Sequence, residues 1–240
     1  MAILSVDLAY KHYRDIGAVV LQEDQGNIQC ELLPLPLTGS PTPDHLATFL
    51  HTFCTAREIS ILLLDGPQGW RADDSPLVHS RHCERALNTP AKTGLPGVVK
   101  PANYALFVTF SIAVFDALTT LKWKRLATIG GPLRGRVVME SFPLAVWRSL
   151  GIPPLSAKAK TKPGDIADRL VRLSGFVRLP LAADPTHDQL QAFVAGLAGV
   201  ALERGDWNQC DIKGITPAWA GGCWREGYIV LPKGMRSGQT

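Results

Sequence analysis

Residues 59–67 read Ile-Ser-Ile-Leu-Leu-Leu-Asp-Gly-Pro. The run from Ile59 to Leu64 is short and almost wholly apolar, as in a strand buried on both faces. It stops abruptly at Asp65, and Gly66-Pro67 turns the chain away. Leu46, Phe49, Leu50 and Phe53 lie upstream at helical spacing, which predicts a helix over Asp44–Ala56. A strand that follows a crossover helix is expected to be parallel to an earlier one.

That earlier strand is Ile3–Leu8, a second apolar run carrying an acid, Asp7, near its end. Gly17–Gln22 and Ile28–Leu33 follow, and the Gly26-Asn27 pair between them marks a hairpin. The chain is therefore expected to open with three antiparallel strands. Downstream, helices are expected over Val78–Leu87, Tyr104–Leu121, Phe142–Leu150 and Gly164–Leu173. A further helix opens at a Thr186–Gln189 capping box and stops at Gly205. Arg136–Glu140 is a third strand ending in an acid, with Ser141 as the expected cap of the helix that follows. Tyr228–Leu231 is the last expected strand. The pattern predicts an α/β fold: a mixed sheet of three antiparallel strands, then parallel ones, flanked by helices and forming one domain over residues 1–240.

Composition agrees with a folded chain. Of 240 residues, 46% are hydrophobic and 19% charged, which excludes a disordered chain. No apolar run is expected to reach the roughly 18 residues of a membrane span, so no membrane partner is expected. The N-terminal residues lack the basic start and cleavage site of a secretory signal. Cys30, Cys54, Cys83, Cys210 and Cys223 form no CxxC pair and are odd in number. Free thiols in a reducing cytoplasm are the expectation. The net charge of +4 permits an anionic partner without demanding one.

Several chemistries have no support. GxxxxGK[ST], GxGxxG after a strand, HExxH and GxSxG are all absent. What remains is the row of acids at strand ends: Asp7, Asp65 and Glu140. A charge directly after a buried apolar strand must be paired or bind a metal. In an open α/β sheet, ligand groups collect at the carboxyl ends of the strands. Three carboxylates there would repel one another unless a cation joined them, and Mg²⁺ or Mn²⁺ suits an all-oxygen site. Each acid also has a plainer reading: Asp65 in a turn, Glu140 at a helix dipole, Asp7 paired with Lys11 or Arg14. Asp188, in the first turn of the helix after Thr186, is a fourth candidate. Ala192, Ala195 and Gly199 lie on its face and would let that helix approach the sheet closely. Leu190, Phe193, Val194 and Leu197 point elsewhere, so both faces stay open as the one that meets the sheet.

The order strand-acid, hairpin, strand-acid, strand-acid, helix-acid resembles the ribonuclease H-like fold, and more specifically the DUF429 family of predicted nucleases. The stretches that carry the resemblance are Ser5-Val6-Asp7, Leu64-Asp65-Gly66-Pro67, Arg81-His82-Cys83-Glu84, Val138-Met139-Glu140-Ser141-Phe142-Pro143, Lys162-Pro163-Gly164 and His187-Asp188-Gln189-Leu190-Gln191-Ala192. The resemblance implies a divalent-metal-dependent nuclease, a hydrolase of phosphodiester bonds, with Asp7, Asp65, Glu140 and Asp188 as catalytic metal ligands. It also departs from the family at Gln191, where members often carry an acid. A weak or inactive protein that binds nucleic acid or a protein partner is the alternative this departure favours.

For the substrate, Arg81 and Arg85 are four apart and would share a helix face, where they would clamp a phosphate. Pairing with Asp73, Asp74 or Glu84 is the structural alternative. Lys158, Lys160 and Lys162 alternate in a loop and would track a nucleic-acid backbone or simply be solvated.

Overall fold

The computed structural model describes residues 2–177 and 184–233. The opening strands are β1 (Ala2–Asp7), β2 (Gly17–Asp24) and β3 (Asn27–Leu32). Gln25 and Gly26, both at positive φ, form the tight turn between β2 and β3. Helix α1 (Pro43–Ala56) then crosses to β4 (Ile61–Asp65). Next come α2 (His82–Leu87), the two-residue strands β5 (Lys92–Thr93) and β6 (Val99–Lys100), and α3 (Ala105–Thr120). Strands β7 (Lys124–Arg125) and β8 (Val137–Ser141) precede α4 (Pro143–Ser149), α5 (Pro163–Leu173) and α6 (His187–Glu203). The described chain ends in a hairpin of β9 (Cys210–Ala220) and β10 (Cys223–Pro232).

The main sheet has the order β3-β2-β1-β4-β8-β10-β9, with β7 also on β8. Strands β1, β2 and β3 are antiparallel; β1, β4, β8 and β10 run parallel to one another. This is the ribonuclease H-like mixed sheet, extended by the antiparallel β9. Strand alternation divides the core in two. Ile3, Ile61, Leu63, Val137 and Met139 face α4, α5 and α6. Leu4, Val6, Leu62, Leu64 and Val138 face α1 and α3.

Helix α6 is buried almost all round, from Leu190 to Leu202. Its small residues meet the sheet: a Cβ on Gly196 would lie 2.8 Å from the Cβ of Ser5, and one on Gly199 would lie 2.4 Å from Leu63 Cδ1. The larger face, with Leu190, Phe193 and Leu197, packs into the same apolar core. The Thr186 cap forms as expected, Thr186 Oγ1 accepting from Gln189 N at 3.2 Å.

Three expectations need correction. Helix α2 begins only at His82, so Arg81 is its N-cap and not part of a helical face shared with Arg85. Ser141 is a strand residue, and Phe142 takes the cap position of α4. The stretch Ala102–Thr120 does have the length and hydropathy to cross a membrane, at a mean of 1.4. Val114, Phe115 and Leu118 in it are buried in the core shared with α1. All five cysteines are free, and burial pushes Cys54 and Cys210 up to about 12.

Candidate functional site

Register decides which acids meet. Along neighbouring strands Asp7 pairs with Asp65, and Asp65 pairs with Ser141. Residues level with one another project from the same face of a sheet. Asp7 and Asp65 therefore stand together at the carboxyl ends of β1 and β4, with Ser141 beside them. Their carboxyls share a hydrogen bond. Burial and the neighbouring Asp65 and Asp188 charges hold the Asp7 carboxyl well above the usual carboxylate range. Burial, opposed by the hydrogen bond from Asp7 and reinforced by Glu140, raises Asp65 to about 7. The Ser141 hydroxyl is buried and has no hydrogen-bond partner. Gly66 leaves the strand at φ +131, where a side chain would meet Ser111 and Phe107 of α3.

Glu140 is one residue out of this level. It pairs with Leu64, on the α1 and α3 side of the sheet. There Arg81 grips it with two hydrogen bonds of 2.7 Å, and the Gln68 amide adds one of 3.1 Å. Burial raises the Glu140 carboxyl while Arg81 opposes the shift. The Arg81 guanidinium is also bound by Glu84, Nε to Oε1 at 3.0 Å, and Glu84 is held in turn by Thr93. Arg81 is 1% exposed. The expected phosphate clamp is thus a buried counter-ion, which corrects the expectation for Arg81. The structure also keeps Glu140 out of the carboxylate pair it was expected to join. The pairing of Arg81 with Glu84 is the alternative the sequence offered.

Asp188 does approach Asp7 closely enough to raise its carboxyl. Its own oxygens are taken: Lys158 Nζ binds Oδ2, and His187 Nδ1 lies 2.9 Å from Oδ1. Gln191, where an acid was expected in the family, turns its amide oxygen to Trp147 Nε1 at 2.7 Å. Arg85 and Lys162 are exposed at the ends of α2 and α5 and do not line the cleft described next.

The strand ends open into a cleft of about 530 Å³. Tyr10, Tyr104, Phe107 and Phe142 supply aromatic walls. Its charged lining is four carboxylates, Asp15, Asp65, Glu84 and Glu140, against two cations, Lys11 and Arg81. Behind it, Glu226 at φ +56 accepts from the amides of Ala72 and His82 and pins the 66–82 segment to β10. Sequence reasoning missed Ser141, Glu226 and Gln68. Only strand pairing reveals the first, and only the bulge in β10 the second.

A divalent cation fits the Asp7–Asp65 pair. Two hard carboxylates suffice for Mg²⁺, which keeps waters and takes substrate oxygens at its other positions. The unpartnered Ser141 hydroxyl is a further oxygen on the same level. Among the described residues no three His, Cys, Asp or Glu side chains gather as a metal cluster, and Glu140 is held by Arg81.

No family model and no curated protein matches the chain. Among solved structures, the chain is similar to RuvC from Thermus thermophilus, at 13% identity, a TM-score of 0.42 and coverage of 86% of this chain and 98% of that one. A second is T. thermophilus RuvC in complex with a Holliday junction substrate, at 12% identity with the same TM-score and coverage.

Proposed function

We propose that the protein is a divalent-metal-dependent nuclease of the DUF429 kind, with Asp7 and Asp65 as the ligands of Mg²⁺ or Mn²⁺. The observation that carries this is the in-register Asp7–Asp65 pair at the strand ends, with Asp65 lining the cleft. Bound there, the ion would supply Lewis-acid stabilisation of charge developing on a phosphodiester. The charge balance of the cleft points the same way. Of its lining carboxylates, Glu84 and Glu140 are paired with Arg81 and Asp15 with Lys158, which leaves Asp65 to take a cation. The aromatic walls suit nucleobases, which stack on such side chains with little regard to sequence. Arg81 and Glu140 act through structure: together they fix the 66–82 segment over the strand ends. Asp188 lies beside the pair as a third acid.

The test is cleavage of labelled single-stranded, duplex, hybrid and junction nucleic acids with Mg²⁺ or Mn²⁺. Cleavage is expected only with the ion, and Asp65→Asn should lower it by more than about 100-fold, the upper range for loss of mere supporting partners of a metal site. A well-folded wild type that cleaves none of these would overturn the nuclease reading.

A second reading is a non-catalytic protein that binds nucleic acid or a protein partner. It is favoured by the closure of Glu140 on Arg81 and by the neutral Gln191 bound to Trp147. Binding of nucleic acid without cleavage, unchanged in Asp65→Asn, is its expected result.

A further inference from the structure

Lys158 occupies an unusual place for a loop lysine. It sits in a single 3₁₀ turn, Lys158–Lys160, in the loop between α4 and α5. Its ammonium bridges two acids, Asp15 Oδ1 at 2.8 Å and Asp188 Oδ2. Asp188 is 7% exposed and is fixed from its other side by His187, whose Nε2 lies 3.0 Å from the Ser156 carbonyl oxygen of the same loop. The ammonium is also near enough to Asp7 to oppose the rise of its carboxyl. Lys158 is exposed, as Lys160 and Lys162 are, so its place rests on its two ion pairs and not on burial. Partial burial would lower the Lys158 ammonium, but its bonds to Asp15 and Asp188 overcome this and hold it charged.

The acids near the strand ends thus fall into two groups. Asp7 and Asp65 face each other, and no ion pair among the described residues bridges them. Asp188 and Asp15 already share one, supplied by the chain. Nucleases with two metals place the second ion a few ångströms from the first. Here a compact lysine ammonium, a point charge with three donors, stands on the Asp188 side.

We propose that Lys158 serves as the built-in second cation of this site, so that the protein binds one divalent ion at Asp7–Asp65 and none at Asp188. This inference rests on the proposed metal site. It makes Lys158 a positioning residue that keeps Asp188 neutralised and close to Asp7, and it assigns the lysine of the 158–162 loop a partner within the protein.

The experiment is a count of bound Mn²⁺ per chain, by electron paramagnetic resonance of free ion and by calorimetry, on the full chain. Wild type is expected to bind one ion. Lys158→Met should bind two, because Asp188 and Asp15 are left without a cation. Lys158→Arg, which keeps the charge, should bind one. Asp65→Asn should lose the wild-type ion. Two ions in wild type would overturn the inference, and so would one ion in Lys158→Met at unchanged affinity; the wild-type count stands even if Lys158→Met fails to fold. In both of those results the Asp7–Asp65 reading survives. No Mn²⁺ bound by wild type would overturn both.

Discussion

Gly17 and Asp188 touch backbone to backbone: a Cβ on Gly17 would lie 2.1 Å from both the carbonyl carbon and the carbonyl oxygen of Asp188. Gly17 begins β2 and is the strand partner of Asp7. The missing side chain at residue 17 is therefore what lets the first turn of α6 settle beside the carboxylate pair. Gly17→Ala should push that turn away from β2. Overpacking of this kind costs about 1–3 kcal/mol, and the clash is with backbone, which cannot rotate aside. A urea melt should show the loss, and the pH at which Asp7 titrates by NMR should fall as Asp188 recedes. An unchanged melt would mean that α6 has room the geometry denies.

The metal-free protein should lose stability as pH rises. Asp7 and Asp65 both hold their protons more tightly folded than unfolded, where an aspartate titrates at about 3.9. Over that window the folded chain binds more protons than the unfolded one, so the unfolding free energy falls with rising pH. The Asp65 contribution is fully present below about 4 and is lost as pH passes about 7. Melting temperatures in chelator between pH 4.5 and 8 should trace this decline, and saturating Mg²⁺ should flatten it. Stability rising through the same range in chelator would contradict the paired, buried carboxyls.

Asp65→Asn should act in opposite directions with and without metal. Without it, the substitution removes a buried charge and one side of a repulsion, so the variant should melt higher at pH 8. Each kcal/mol is worth about 2–4 °C in a chain of this size. With Mn²⁺, the wild type should gain stability and the variant should not. A variant that melts lower than wild type in chelator would show that the carboxylate is a structural partner instead.

Glu140→Gln separates the two roles an acid at a strand end can have. Breaking a buried ion pair costs about 3–5 kcal/mol, and Arg81 keeps Glu84 as a remaining partner, so a loss near the lower end is expected. The folded variant should bind Mn²⁺ as wild type does. A loss of Mn²⁺ affinity with stability intact would restore Glu140 to the ligand set.

Much of this was legible in the chain. The apolar runs ending in Asp7 and Asp65 gave the central parallel pair, and the Thr186 box gave the start of α6. Which face of α6 meets the sheet stayed open in the sequence; Gly199 of the small stripe meets it, and so does Gly196, which that stripe did not include. Glu140 was not legible, because Met139-Glu140-Ser141 looks like the ends of β1 and β4 until the pairing is known. A one-residue offset then turns the carboxylate to the other face and brings Ser141 level with the pair. Strand β9 was hidden because Gly214 and Pro217 interrupt any strand pattern. Gly214 is needed there, since a Cβ would lie 2.2 Å from the Gly227 carbonyl oxygen. The double pairing of Lys158 has no local signal at all, as its partners Asp15 and Asp188 are 143 and 30 residues away.

The most direct measurement is anomalous diffraction from crystals of the full chain grown with Mn²⁺. A peak bound by both the Asp7 and Asp65 carboxylates, with Glu140 still gripped by Arg81, is the predicted result. A peak ligated by Glu140 with Arg81 displaced, or no peak at the Asp7–Asp65 pair, would contradict the account.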